Sequence, residues 1–90
     1  MAKVLKMGPV PHQAEGYLQI PGHPVHIDMQ SGEMRVWYLA TGEEFAEPDP
    51  PIRLAYAATG EELMGMHIKT VMDGPFVWHV IELVDEYYED

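Results

Sequence analysis

The chain has 90 residues and is 47% hydrophobic. This length and composition suit one domain with a single modest core, and the chain is too short for a second domain. Fifteen acids against five Lys and Arg leave a net charge of −10 at pH 7, and such a surface repels phosphate backbones, which disfavours direct nucleic-acid binding. The absence of cysteine excludes disulfides and thiolate chemistry. Because no signal-peptide core or membrane span fits the sequence, we expect a cytoplasmic protein without membrane contact.

Short apolar runs, each ended by a Gly, Pro or Asp-Gly signal, predict strands along the whole chain. Weak strands are predicted over 2–7, 17–20 and 52–57, with a turn over 21–24 and an exposed proline-rich loop over 43–51. With two hairpins added, the pattern predicts an all-β fold, a small antiparallel β-sandwich or partly open barrel of about six or seven strands.

The domain organisation follows from the same pattern. A single β domain is predicted over 1–84, and the acidic residues 85–90 are predicted to form a C-terminal tail. The phrase Ala-Thr-Gly-Glu-Glu occurs at 40–44 and at 58–62, and its capping-box spacing allows a single helical turn at either place.

The first predicted hairpin turns at Ser31-Gly32 between two alternating runs. This register puts apolar side chains opposite each other on one face, where Ile27 faces Val36 and Val25 faces Tyr38. The other face then contains three cross-strand pairs: Gln30 with Glu33, Asp28 with Arg35, and His26 with Trp37.

The second predicted hairpin turns at Asp73-Gly74, with Pro75 as the first residue of the return strand. The same counting places Lys69 opposite Trp78 and Ile68 opposite His79. Apolar residues on both faces of the return strand predict that it is central in its sheet.

The best candidate for a binding site is the polar and aromatic face of the first hairpin. An aromatic side chain beside charged ones is typical of a binding or subunit-contact surface. The alternative is that a second sheet covers Trp37. The candidate ligand- or partner-binding residues are His26, Asp28, Arg35 and Trp37, with Lys69 and Trp78 as an extension of the same surface.

The five histidines raise the question of a metal site, above all His23, His26 and Asp28. Residues three apart on a strand point to opposite faces, so His23 and His26 share an ion only if the chain bends between them. His79 lies on an apolar face and is expected to be a core histidine whose ring nitrogens are satisfied by hydrogen bonds. No catalytic residues, metal or cofactor are therefore predicted.

Several turn and strand signals follow one another in a distinctive order from residue 17 onward. They lie at Pro21, Gln30, Gly32, Trp37, Arg53, Thr59, Gly60, Ile68, Thr70, Gly74, Val77, His79, Val80 and Glu82. This order resembles a family of short phage and mobile-element proteins known only as a domain of unknown function. The chain differs from the family pattern at Ser31, where Asn is usual, at Pro24, and at Glu61-Glu62, where His-Pro is usual. The resemblance implies a mobile-element context and no particular reaction.

Three functions remain open from the sequence. The first is a non-catalytic binding protein of phage or mobile-element origin, which contacts a host protein or a small ligand, with a homodimer as a further expectation. The second is an acidic mimic that occupies a nucleic-acid-binding partner. The third is a small metal-dependent enzyme, which the residues favour least.

Overall fold

A computed structural model describes residues 2–41 and 51–83, which form seven strands in two antiparallel sheets and contain no helix. The sheets do not close into a barrel, so the predicted small sandwich-like all-β fold is confirmed. The strands are β1 Ala2–Met7, β2 Leu18–Ile20, β3 His23–Gln30, β4 Glu33–Thr41, β5 Ile52–Ala58, β6 Met66–Asp73 and β7 Phe76–Glu82.

Each strand belongs to one of two sheets, which form the two layers of the fold. The three-stranded sheet has the order β1-β4-β3, and the four-stranded sheet has the order β2-β5-β7-β6. The edge strands are therefore β1, β3, β2 and β6. The prediction that β7 is central is confirmed, because it pairs with both β5 and β6.

The core lies between the two sheets and contains alternate residues of their facing strands. Strands β5 and β7 also bury Ala55, Ala57 and Ile81 on their opposite face, which explains why both read as nearly continuous apolar runs. The buried core cluster consists of Val10, Ile20, Ile27, Met34, Val36, Tyr38, Ala40, Ile52, Leu54, Val71 and Val80.

The first hairpin has the predicted turn, with Ser31 at φ 53° and Gly32 at φ 81°. Two consecutive positive φ values match a type I′ turn, whose twist suits the flanking strands. The register is confirmed from the turn as far as the pair formed by His26 and Trp37. The predicted pair of Val25 with Tyr38 is wrong, because Val25 is the extra residue of a β-bulge and Pro24 lies opposite Tyr38.

The second hairpin differs from the prediction by one residue. Its two-residue turn is Gly74-Pro75, so Asp73 pairs with Phe76. Gly74 has φ 59°, and a Gly with positive φ followed by a Pro with negative φ fits a type II′ turn.

This shift changes every predicted pair of that hairpin. Val71, and not Lys69, lies opposite Trp78, while Thr70 lies opposite His79. Lys69 lies opposite Val80 in the same register, and the bulge at Ile68 that follows places His67 opposite Ile81.

The chain after β5 forms a tight turn at 59–60, and not the helical turn that the capping-box spacing allowed. The amide of Glu61 donates to the carbonyl of Ala58 at 3.1 Å, and Gly60 has φ 98°. The predictions made for 42–50 and for the tail over 85–90 lie outside the described residues.

Candidate functional site

The predicted contact surface lies on the outer face of the three-stranded sheet, around Trp37 in its central strand β4. The core cluster occupies the opposite face, so the four-stranded sheet does not cover Trp37. The Trp37 ring is half-buried by its strand neighbours: the His26 ring lies 5.1 Å away between centroids, and Lys6 Nζ lies 5.8 Å from the Trp37 ring centroid. We call this surface, defined by Lys6, His26, Asp28, Arg35 and Trp37, the Trp37 face.

On β3 and β4, titratable side chains of the Trp37 face lie beside a partner on the same strand, whereas Lys6 on β1 donates to Gln30 Oε1 at 2.7 Å. Asp28 and Arg35 lie opposite each other as predicted, but Arg35 bonds Glu33 on its own strand. Asp28 Oδ2 lies 3.7 Å from His26 Nε2, two residues away on β3. Because these pairs are exposed or half-exposed, each is worth at most about 1 kcal/mol to stability, so they can exchange partners when another surface approaches.

Trp78 does not belong to the Trp37 face. It points between the sheets, where its ring contacts Tyr56 at 5.1 Å and stacks on Phe76 at 5.7 Å between centroids. Its indole N–H donates to Asp73 Oδ2 at 3.3 Å. The predicted pair of Trp78 with Lys69 is therefore wrong, because the register shift places Val71 opposite Trp78 and Lys69 opposite Val80.

Lys69 lies instead near the edge of the sandwich, where β3 approaches β6. It lines a cavity of about 300 Å³ together with His26 and the two bulge residues Val25 and Ile68. Both bulges thus open this edge, and Val25 is 55% exposed there.

A cluster of two histidines and two threonines lies on the outer face of the four-stranded sheet. The hydroxyl of Thr59 bonds His79 Nε2 at 2.8 Å, and His79 Nδ1 lies 3.3 Å from His67 Nε2. Thr70 Oγ1 is within 3.4 Å of both rings. His79 has the expected hydrogen-bond partners, but the expectation of a core histidine is wrong. It is partly exposed on this outer face, and the true register places Thr70 opposite it instead of Ile68.

The bulge at Val25 also changes the expected orientation of His23 relative to His26, on which the possibility of a shared metal ion depends. His23 lies opposite Leu39 and His26 opposite Trp37, so both histidines share the outer face although they are three residues apart. Over residues 2–41 and 51–83, no group of three or more His, Asp or Glu side chains is arranged to hold a metal ion.

A polar clasp ties the connection between β1 and β2 to the turn after β5. His12 Nε2 lies 2.9 Å from Glu61 Oε1, and Gln13 donates to the carbonyl of Glu62 at 2.9 Å. The amide of Ala14 donates to His12 Nδ1 at 3.0 Å, so in the neutral ring the proton lies on Nε2 and is donated to the carboxylate. These partners are 49 residues apart, and sequence spacing gave no sign of them.

The clasp predicts a specific pH dependence of stability. The backbone N–H of Ala58, and after it the ring of His12, hold the pKa of Glu61 below its ordinary value of 4.5. A depressed folded-state pKa stabilises the fold above pH 4.5, and this contribution is lost as the pH falls through the lowered value.

We therefore expect Glu61→Gln to be less stable than the wild type at about pH 6, with the difference shrinking by about pH 3. Urea unfolding at both pH values measures it, with Glu62→Gln as the matched control. A difference that grows on acidification contradicts the clasp.

These observations define a small all-β protein of two antiparallel sheets with a polar and aromatic outer face. A family model matches residues 1–89, and the chain belongs to that family, described as Domain of unknown function (DUF7352). Comparison with curated proteins and with solved structures gave no match. In the part of the chain that the structure describes, no helix is long and apolar enough to span a bilayer.

Proposed function

We propose that this protein is a non-catalytic binding protein that contacts a partner protein through the Trp37 face. The observation that carries the proposal is the position of Trp37 on the outer side of a sheet, uncovered by the other sheet and flanked by Lys6 and His26. Tryptophan and arginine are the residues most enriched among those that dominate binding energy at interfaces.

The shape of the Trp37 face favours a protein partner over a small ligand. It is formed by side chains on three adjacent strands, whereas small-molecule sites are concave and bury most of their ligand. The polar side chains of Lys6 and His26 flank the central ring, as polar residues flank an anchor at many interfaces. A second copy of this chain is one partner that such a surface accommodates.

Removal of the central ring is expected to abolish most of the binding energy. Trp37→Ala should weaken binding to the purified partner by about 2 kcal/mol or more, because a desolvated tryptophan is a typical hot spot. The partner is first recovered on the immobilised protein from cells that encode it, identified, and purified. Its affinity is then measured by calorimetry, and sedimentation velocity tests self-association of the chain alone.

Met72→Ala is the matched control, because Met72 is 62% exposed but belongs to the other sheet. It should leave the affinity unchanged. Thermal unfolding of both variants separates a binding defect from a folding defect. Equal affinities of the Trp37→Ala variant and the wild type would contradict the proposal.

The acidic mimic is the second candidate, and the distribution of charge favours it. All Lys and Arg residues lie within the described segments, whereas two short segments, 42–50 and 84–90, contain more than half of the acids. A complex held by these acids should weaken steeply with added salt, since exposed charges are screened. A complex centred on Trp37 should change little, so a salt titration of the same complex distinguishes the two.

We also propose that the protein comes from a phage or mobile element and acts on a host protein in the cytoplasm. The sequence resemblance supports the origin, and the lack of cysteine supports the compartment. Identification of the recovered partner tests the compartment, because an extracellular partner would contradict it.

A further inference from the structure

A cleft of about 370 Å³ lies where the two sheets separate, beside both hairpin turns. Met29 and Met34 form one wall and Tyr56 and Trp78 the other, with residues 9–15 across the opening. This volume is at the lower end of the range for small-ligand sites. The cleft is separate from the Trp37 face.

Backbone hydrogen bonds hold the opening in place. The amide of Val10 donates to the carbonyl of Met34 at 2.9 Å, and the amide of Tyr56 donates to the carbonyl of Pro11 at 2.9 Å. The connection is thus attached to both sheets, and the clasp of His12 with Glu61 fixes it further. A site held in this way is formed before a ligand arrives, which lowers the entropic cost of binding.

Three aromatic rings meet at inclined angles in the cleft. Tyr56 and Trp78 lie at 59° to each other, and His12 meets Tyr56 at 77° with centroids 5.4 Å apart. Rings inclined in this way enclose a corner. Tryptophan and tyrosine faces attract cations through the ring quadrupole.

The charged residues that line the cleft are acidic, which suits a cationic ligand. The cleft's described lining residues include the acids Glu15, Glu33 and Asp73 and no Lys or Arg. Arg35 engages Glu33, but Asp73 accepts only the neutral indole N–H of Trp78 among the described side chains, so its negative charge is not neutralised. A carboxylate beside an aromatic corner favours a ligand that carries a positive charge and also has an apolar surface.

We propose that this cleft binds a quaternary ammonium group, with the rings of Tyr56 and Trp78 against its methyl groups and Asp73 as its counter-charge. The methyl groups suit the apolar walls, and the delocalised positive charge suits both the ring faces and the carboxylate. The ammonium group belongs to a free small molecule or to a methylated lysine side chain, since both present the same chemistry.

Calorimetric titration with choline tests the proposal on the full chain. We expect saturable binding in the millimolar range or tighter. The neutral isostere 3,3-dimethylbutan-1-ol has the same shape without the charge and should bind roughly tenfold more weakly. Equal binding of choline and its isostere, or no saturable choline binding, would overturn the proposal.

Variants then locate the site. Asp73→Asn should weaken choline binding roughly tenfold while keeping an acceptor for Trp78, and the exposed Glu62→Gln should not change it. In a Trp37→Phe background, choline should also perturb the fluorescence of Trp78, the remaining tryptophan. An unchanged affinity in Asp73→Asn would contradict the assignment. A trimethyllysine peptide titrated in parallel identifies the source of the group by its affinity relative to choline.

Discussion

Leu54→Ala is expected to lower the free energy of unfolding by about 2–5 kcal/mol, because it empties a fully buried site at the centre of the core. Leu54 has no exposed surface and lies on β5, an internal strand of the four-stranded sheet. The neighbouring strands are held by their hydrogen-bonded registers and cannot collapse fully into the space. Urea unfolding followed by circular dichroism measures the loss.

Leu63→Ala provides the matched control, since Leu63 is 40% exposed. The same truncation there should cost no more than about 1 kcal/mol. Similar losses at the two positions would contradict the assignment of Leu54 to the core between the sheets.

Gly22→Ala is expected to destabilise the protein by at least about 3 kcal/mol or to prevent folding. A methyl group at Gly22 would overlap the backbone carbonyl of Leu39 and come within 2.9 Å of the Tyr38 ring. The carbonyl cannot move away without disturbing the pairing of Leu39 with His23, where β3 begins. Thermal unfolding measures the effect, and we expect the cooperative transition to be lost or its midpoint to fall by a large amount.

Gly32→Ala is the control that distinguishes two causes of destabilisation by an added methyl group, steric overlap and an unfavourable backbone conformation. Gly32 has φ 81° and no heavy atom within 4 Å of an added Cβ, so only the strain of a positive φ arises there. This strain costs about 1 kcal/mol. A loss at Gly22 no larger than that at Gly32 would show that the close approach of Leu39 is absent.

The sequence predicted the fold class and the first hairpin because both depend on local signals. Alternation of apolar and polar residues fixes the faces of a strand, and Ser31-Gly32 supplies the positive φ values that a tight turn requires. The second hairpin was misplaced by one residue because Asp73-Gly74 and Gly74-Pro75 are both plausible turns. Pro75 decides in favour of the second, where its fixed negative φ is needed and its missing N–H costs nothing.

The bulges could not be predicted. A bulge inserts one residue without a specific sequence signal, and those at Val25 and Ile68 reverse which side chains share a face beyond them. The bulge at Val25 brings His23 and His26 to the same side, whereas the one at Ile68 places His67 opposite Ile81 and beside His79.

The four hairpin residues of the Trp37 face were predictable from alternation alone, but the place of Lys6 beside Trp37 and the cleft were not. The cleft depends on how residues 9–15 cross from one sheet to the other and on the contact of His12 with Glu61. Such contacts join residues about 50 positions apart, and a single sequence contains no periodic signal for them.

Site-specific photocrosslinking tests the central claim, that the Trp37 face is a contact surface, most directly. Benzoylphenylalanine is placed at position 28, which is exposed on the Trp37 face and leaves Trp37 in place, and, as a control, at the exposed position 72 on the other sheet. Irradiation in the cells that encode the protein should yield one adduct of defined mass from position 28 and none of that mass from position 72. The same adduct from both positions, or no adduct from position 28, would contradict the account.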